Sequence, residues 1–137
     1  MILTLSSDKI QVIKEQDTVF LKNRVKEVAV KIKMGLLNQT KLITAASELV
    51  RNMLRYANGG ECLIEIVSRG RDNGVRLTFK DTGPGIPDIS LALKDGYSTG
   101  RSLGLGLPGT KRLVNDFNIQ SKVGEGTIVT IIKWANG

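Results

Sequence analysis

The spacing of apolar residues changes from a helical to a strand period near the middle of this chain, and this constrains the fold most. Before residue 60, apolar residues recur every three or four positions, which predicts two amphipathic helices. Their predicted core positions are Leu21, Val25, Val28 and Ile32 in the first and Leu42, Ala46, Leu49, Met53 and Tyr56 in the second. We expect Asp17 to cap the first helix and Gly35 to end it. Asn38 is expected to open the second, and Asn58-Gly59-Gly60 to end it.

The later part of the chain alternates polar and apolar residues, which is typical of half-buried strands. Together with an early alternating segment, strands are predicted at residues 9–14, 62–66, 75–79, 118–123 and 127–134. Asn73-Gly74 predicts a hairpin turn between the second and third strands. Helical spacing predicts short helices at residues 88–93 and 107–117. This order predicts one α+β domain over residues 1–137, a two-layer α/β sandwich with a mixed, mostly antiparallel sheet and helices on one face.

The composition excludes several classes of protein. The chain has 137 residues, no histidine and one cysteine, Cys62. Without histidine it cannot use a Ser-His-Asp triad, a Cys-His pair or a phosphorelay through its own imidazole. A lone cysteine forms no internal disulfide, which favours the reducing cytoplasm. The apolar runs are shorter than the roughly 20 residues of a membrane helix, so no membrane association is expected.

The net charge of +7 is concentrated in the first part of the chain, where residues 1–58 carry ten Lys or Arg against five Asp or Glu. Such a surface attracts an acidic protein, nucleotide phosphates or nucleic acid. A solvated helix face explains it equally well. Because no nucleic-acid motif accompanies the charge, no nucleic-acid partner is expected.

A glycine-rich segment precedes the predicted helix at 107–117. Residues 104–109 match G-x-G-x-x-G, but a polar loop precedes them where a dinucleotide site requires a buried strand. The segment narrowly misses the phosphate P-loop pattern, because Thr110-Lys111 follow Gly109 in place of the required Lys-Ser/Thr, so a P-loop is not favoured. The segment still leads into a helix N-terminus, where free amides can bind an anion. The alternative is a loop that needs glycine only to turn.

Two further groups of residues have both a functional and a structural interpretation. Asp81 follows a strand and precedes Gly83 and Gly85, so its carboxylate could accept from an exocyclic amine of a closely approaching flat ring. The alternative is an ordinary turn. Glu48 and Asn52 lie four residues apart on one side of a helix, where they could hold Mg²⁺ and position a hydroxyl. The alternative is a solvated helix face.

Together these segments resemble the conserved boxes of the GHKL ATPase and kinase superfamily, which includes gyrase, Hsp90, histidine kinases and MutL. The four boxes are Glu48-Leu-Val-Arg-Asn52, Asp81-Thr-Gly-Pro-Gly85, Gly104-Leu-Gly106 and Gly124-Glu-Gly126-Thr127. Their order and spacing match over residues 40–133. Within the superfamily, the chain is most similar to the small anti-sigma and switch-protein serine kinases, especially the RsbT-type kinases of the stressosome.

The resemblance implies a role for each matched residue. Asn52 would bind Mg²⁺ at the triphosphate of ATP, and Glu48 would orient or deprotonate the attacking hydroxyl. Asp81 would accept from the adenine amine, with Thr127 assisting. Gly83 and Gly85 would leave room for the adenine ring. Gly104 and Gly106 would bind the phosphates, and Arg101 would contact the terminal phosphate. Residues 87–103 would form a short ATP lid.

The function implied by the resemblance is an ATP-dependent protein serine/threonine kinase of a partner-switching stress response in the cytoplasm. Its substrate would be a serine or threonine of a STAS-domain partner, and it would also bind and activate a PP2C-type phosphatase. One alternative is an anti-sigma factor kinase that sequesters a sigma factor through the basic helical half. Another is a nucleotide-sensing binding module with little catalysis.

Overall fold

The computed structural model describes residues 1–94 and 106–137, which form five strands and four helices. In chain order the elements are β1 (Leu3–Val12), α1 (Glu15–Lys31), α2 (Leu36–Ala57), β2 (Gly60–Arg69), β3 (Asp72–Lys80), α3 (Ile89–Ala92), α4 (Gly106–Leu113), β4 (Asp116–Lys122) and β5 (Gly126–Trp134).

The five strands form one sheet in the order β1-β2-β3-β5-β4, and every neighbouring pair is antiparallel. Leu21 of α1 and Leu42 of α2 are buried in one cluster with Ile64, Leu77 and Ile131 of the sheet. The helices therefore cover one face of the sheet, because strand side chains alternate between the two faces. The predicted α+β class with two layers is confirmed, and the sheet is antiparallel throughout the described residues.

The first helix begins earlier than predicted. α1 starts at Glu15, and Asp17 lies in its first turn instead of preceding it. The Asp17 carboxylate nevertheless acts as a cap, because its Oδ2 accepts from the amides of Ile13 and Lys14, both at 2.9 Å. These backbone hydrogen bonds lower the pKa of Asp17. The prediction that Asp17 caps the helix is confirmed, but Asp17 lies inside the first turn and not before it.

The second helix also begins earlier, at Leu36, after an extended Gly35 that serves as its N-cap. Asn38, predicted to open the helix, lies inside it and donates from Nδ2 to the carbonyl oxygen of Ala135 at 3.2 Å. Tyr56 was predicted on the core face, but its side chain is exposed near the end of α2. The predicted end is confirmed, because Asn58 adopts the left-handed conformation with φ of 59°.

The hairpin between β2 and β3 does not turn at Asn73-Gly74 as predicted. The turn is made by Gly70 and Arg71, and Gly70 has the positive φ of 62° that such turns require. Gly74 lies within β3, where a Cβ atom would come within 2.7 Å of the Trp134 ring. Glycine is required at position 74 because the Trp134 ring leaves no room for a side chain.

The helix predicted at residues 107–117 is shorter, since α4 ends at Leu113 and β4 begins at Asp116. Asn115 joins the chain to β5: its amide donates to the carbonyl oxygen of Ile132 at 3.0 Å, and its Oδ1 accepts from the amide of Trp134 at 2.9 Å. Phe117 therefore belongs to a strand. Its apolar side chain fits either period, which explains the wrong assignment.

Candidate active site

A cavity of about 330 Å³ lies between α2 and the sheet, beside the first described residues of α4. This volume is within the range of small-molecule sites. Five of the residues singled out in the sequence line it: Asn52, Asp81, Gly85, Gly106 and Thr127. The fold thus brings together residues from all four sequence boxes.

The walls of the cavity are largely apolar. Met53 of α2, Phe79 of β3 and Val129 of β5 are each buried and line it, and Ile119 of β4 adds a half-buried side chain. These side chains come from the helix and from three adjacent strands, so they form two facing surfaces. A flat, apolar ring system fits between such surfaces, with its polar edge directed at the few polar groups.

Asp81 provides an acceptor in the lining of the cavity. Its amide donates to the carbonyl oxygen of Thr127 at 3.0 Å. Its Oδ1 accepts from the amides of Gly83 at 2.9 Å and Thr127 at 3.2 Å. Among the residues that the structure describes, Oδ2 accepts no hydrogen bond. The first oxygen therefore holds the side chain in place, and the second is available to a bound molecule.

Two glycines allow the turn after Asp81 to pack against the hairpin of β4 and β5. A Cβ on Gly126, whose φ is 118°, would collide with the backbone carbonyl of Asp81. A Cβ on Gly85, with φ of 79°, would collide with the backbone of Lys122. This packing sets the position of the Asp81 carboxylate relative to Thr127.

Gly83 was expected beside a bound ring, but it does not line the cavity. A Cβ atom on Gly83 would collide with the side chain of Ala57 in α2. Its contribution is the amide that donates to Asp81. Gly85, in contrast, lines the cavity, and the Cβ atom that it lacks would meet the backbone of Lys122. The roles expected of both glycines beside a bound ring stay predictions.

Ser121 of β4 is a site residue that the sequence analysis missed. Its Oγ lies 2.8 Å from Thr127 Oγ1, accepts from the amide of Ile86 at 2.7 Å and donates to the carbonyl oxygen of Gly126 at 3.1 Å. It therefore links the turn after Asp81 to the start of β5. The sequence offers only one signal for it, a polar residue in an alternating strand, and that signal is common to solvent-facing positions.

Glu48 lies beside the start of α4 and is buried, with 7% of its surface exposed. Its Oε1 accepts from the amide of Gly106 at 3.3 Å. Its Oε2 lies 3.5 Å from Nη1 of Arg51, a partner that the sequence analysis did not single out. The interpretation of Glu48 as part of a solvated helix face is therefore wrong. A carboxylate here faces the free amides of a helix N-terminus, where negative charge is favoured.

Asn52 follows Glu48 by one helical turn and lines the cavity. Within residues 1–94 and 106–137, its side-chain amide makes no hydrogen bond. Its oxygen and nitrogen are therefore available to a molecule in the cavity. An amide oxygen is among the ligands that divalent cations accept in proteins.

The described part of the glycine-rich segment begins at Gly106. Gly106 has a φ of 69°, and its carbonyl oxygen accepts from the buried hydroxyl of Thr110 at 2.9 Å. Arg101 and Gly104 lie outside the described residues, as does much of the expected lid at 87–103. The part of that lid that is described contains the single-turn helix α3 and the cavity-lining Ala92.

Cys62 does not belong to the site. It is buried in β2, and burial raises the pKa of its thiol, which keeps it protonated and unreactive. Within the described part of the chain, no group of three or more Cys, Asp or Glu side chains is placed to bind a metal ion. No helix in that part is both long enough and apolar enough to span a membrane.

The chain matches a known protein family over most of its length. The family described as "Histidine kinase-, DNA gyrase B-, and HSP90-like ATPase" matches residues 37–136. The chain is 41% identical over 125 residues to "Serine/threonine-protein kinase RsbT" of Bacillus subtilis (strain 168), covering 91% of this chain and 94% of the relative. It is 34% identical over 101 residues to "Anti-sigma F factor" of Anoxybacillus flavithermus, covering 69% and 68% of the two chains.

Solved structures show the same fold at lower sequence identity. The structure of the RsbU and RsbW domains of Rv1364c from Mycobacterium tuberculosis matches with a TM-score of 0.64 and 19% identity. It aligns with 93% of this chain, which spans 31% of that longer chain. The mycobacterial sensor histidine kinase MprB matches with a TM-score of 0.57 and 16% identity, over 94% and 97% of the two chains. The expected superfamily is confirmed.

Proposed function

Because this chain belongs to the family of histidine kinase-, DNA gyrase B- and HSP90-like ATPases, we propose that the cavity beside α2 is where it binds ATP. The chain is a serine/threonine-protein kinase of that family and uses ATP. The observation that carries the proposal is that Asp81, Thr127, Asn52 and Gly106 line one cavity. Asp81 and Thr127 are joined by a hydrogen bond, and Gly106 is joined to Glu48, one helical turn before Asn52. Two such polar groups among apolar walls suit a base at one and phosphates at the other.

The end beside Asp81 and Thr127 is proposed to hold adenine. Asp81 Oδ2 is an acceptor without a partner among the described residues, and an exocyclic amine donates hydrogen bonds to such a group. Met53 and Phe79 offer the buried apolar surface that the ring faces need. Gly85 lines the same cavity.

The end beside Gly106 is proposed to hold the phosphates. The described part of α4 begins at Gly106. Amides at a helix N-terminus bind phosphate groups. In this structure the Gly106 amide donates to Glu48 Oε1, an anionic oxygen as those of a phosphate are, and this supports the proposal. Gly104 is proposed to continue the phosphate-binding loop, and Arg101 to contact the terminal phosphate.

The donor set also fits Mg²⁺. This ion is commonly bound by one or two protein oxygens together with substrate phosphates and water, so a cluster of carboxylates is not needed. Asn52 would supply the protein oxygen. The bound ion would neutralise charge on the phosphates during transfer.

Glu48 is proposed to act on the acceptor hydroxyl. In the transfer, the hydroxyl oxygen bonds to the terminal phosphorus of ATP, the bond to the bridging oxygen breaks, and ADP leaves. Glu48 orients the hydroxyl and accepts its proton. Its two contacts to Gly106 and Arg51 leave acceptor capacity for this, because a carboxylate has about four lone-pair positions.

The chain is a partner-switching kinase by its relatives, and its acceptor is proposed to be a serine or threonine of a STAS-domain protein. Binding of a PP2C-type phosphatase belongs to the same proposal. The second candidate partner is a sigma factor, favoured by the similarity to anti-sigma F factors and by the exposed lysines of the first half, including Lys22 and Lys26. These roles place the chain in the cytoplasm.

The proposal is tested with purified full chain, Mg²⁺ and ATP labelled on the terminal phosphate, incubated separately with STAS-domain proteins and with sigma factors. Label on a STAS serine or threonine is the expected result. A stable sigma complex without labelled STAS protein would favour the second candidate. Nucleotide binding without labelling or complex formation would contradict both partner assignments. Asn52→Ala should abolish labelling, whereas Asn23→Ala, on the exposed side of α1, is the matched control that should retain it.

A further inference from the structure

Ser121 lies opposite Thr127 in the register of β4 and β5, and it does not line the cavity itself. Any influence on a bound molecule must therefore pass through its neighbours. Thr127 is the neighbour that lines the cavity. The hydroxyl oxygens of the two residues lie 2.8 Å apart, and this distance does not decide which of them donates.

The other two contacts of Ser121 decide which hydroxyl donates. The amide of Ile86 is a donor, so it occupies one lone pair of Ser121 Oγ at 2.7 Å. The carbonyl oxygen of Gly126 is an acceptor, so it takes the single proton of Ser121 at 3.1 Å. A hydroxyl has one proton and two lone pairs. The Thr127 hydroxyl must therefore donate to the remaining lone pair of Ser121.

As a result, Thr127 Oγ1 has no proton left for a molecule in the cavity and offers only lone pairs. Asp81 Oδ2 beside it also offers only lone pairs, since a carboxylate is solely an acceptor. Thr127 and Asp81 are held together by the hydrogen bond from the Thr127 amide to Asp81 Oδ1, at 3.2 Å. The base-binding end thus presents two acceptors.

We propose that Ser121 is a positioning residue that fixes the proton of the Thr127 hydroxyl and thereby makes the cavity select a 6-amino purine over a 6-oxo purine. An amine donates to both acceptors, whereas a carbonyl oxygen meets lone pairs at both. This inference rests on the proposed binding of ATP in the cavity. It adds the residue and the proton arrangement that determine base selectivity.

Ser121 also holds the turn after Asp81 through the Ile86 amide. Loss of that contact weakens binding of any nucleotide, whatever its base. The measurement must therefore be a ratio of affinities for two bases, because a general loosening of the turn affects ATP and inosine triphosphate alike.

The test measures calorimetric affinities of the full chain for ATP and for inosine triphosphate, which carries a carbonyl oxygen at C6. In Ser121→Ala the Thr127 hydroxyl can rotate and donate to that oxygen. The preference for ATP should fall about three- to tenfold, as expected for one neutral hydrogen bond. Ser121→Thr, which keeps the hydroxyl, should retain the preference. Ser47→Ala is the matched control, since Ser47 Oγ donates to the Ile43 carbonyl oxygen and does not line the cavity.

A double-mutant cycle separates action through Thr127 from a merely structural role. In a Thr127→Val background there is no hydroxyl to orient, so Ser121→Ala should leave the ratio unchanged. An equal fall of the ratio in both backgrounds, or no fall in the single variant, would overturn the inference. Failure of the wild-type chain to bind ATP would instead overturn the proposed site and this inference with it. If the alanine variant does not fold, Ser121→Cys serves in its place, because a thiol is a weak donor and acceptor.

Discussion

Replacing Asp81 with asparagine exchanges Oδ2, which accepts no hydrogen bond from the described residues, for an amide nitrogen and leaves the rest of the side chain unchanged. In the protein, Oδ1 accepts from the amides of Gly83 and Thr127. The asparagine Oδ1 can accept both bonds in the same way. The side chain should therefore keep its place, with Nδ2 where Oδ2 was.

The expected loss in ATP affinity follows from this exchange. A hydrogen bond from the adenine amine to a charged acceptor contributes about 1.5 to 3 kcal/mol, and in Asp81→Asn two donors face each other instead. We expect a total loss of about 2 to 4 kcal/mol, which is roughly a 30- to 1000-fold weaker affinity. The free energy of unfolding should change by less than about 1 kcal/mol, because both backbone hydrogen bonds survive.

Calorimetric titration with ATP and denaturant unfolding measure the two quantities on the same preparation. Asp72→Asn is the matched control, since Asp72 is exposed at the start of β3 and lies outside the cavity lining. ATP affinity within threefold of wild type in Asp81→Asn would refute the assignment of the adenine end. Large destabilisation would instead refute the claim that the asparagine retains the two backbone contacts.

Three further variants test other parts of the molecule. Asn52→Ala should abolish Mg²⁺-dependent phosphotransfer and change unfolding by less than about 0.5 kcal/mol, and phosphotransfer at the wild-type rate would contradict its role. Gly126→Ala should cost about 2 kcal/mol or more in a denaturant melt because its Cβ meets the Asp81 carbonyl, whereas Gly124→Ala, also at positive φ but in open space, should cost about 1 kcal/mol. Lys133→Met should stabilise by about 1 kcal/mol at neutral pH, since burial and Lys41 lower the pKa of Lys133. Between the lowered pKa of Lys133 in the folded protein and its pKa of about 10.4 in the unfolded chain, the unfolded chain binds more protons. The stability gained by Lys133→Met should therefore shrink as the pH rises toward about 10.4, and a gain independent of pH would contradict this reasoning.

The helices and several residues of the cavity lining could be predicted from the sequence because both predictions depend on local spacing. Leu42 and Leu49 repeat at helical intervals, and both are buried in α2 as predicted. The site boxes contain short combinations of glycine with acidic or amide residues, and these combinations persist in the sequence whatever surrounds them. Five of the predicted site residues therefore line one cavity.

Errors arose where a distant neighbour decides the local structure. Asn73-Gly74 has the composition of a turn, but Gly74 is a strand residue because the Trp134 ring lies where a side chain would be. Phe117 fits a helical stripe, but Asn115 joins the chain to β5 before it. No local pattern carries information about a residue brought close by strand pairing.

The sequence by itself determined the family, the α+β class and the residue types that we propose for the site, because periodicity and box motifs are properties of consecutive residues. Tertiary structure alone decided how those residues work together. It buried Glu48 beside the Gly106 amide and left Oδ2 of Asp81 available to the cavity. It also set Ser121 beside Thr127, so that the direction of one hydroxyl proton depends on a carbonyl and an amide from other segments. Hydrogen-bond direction is a property of an assembled network, and it exists only once the strands and turns that supply its members have packed together.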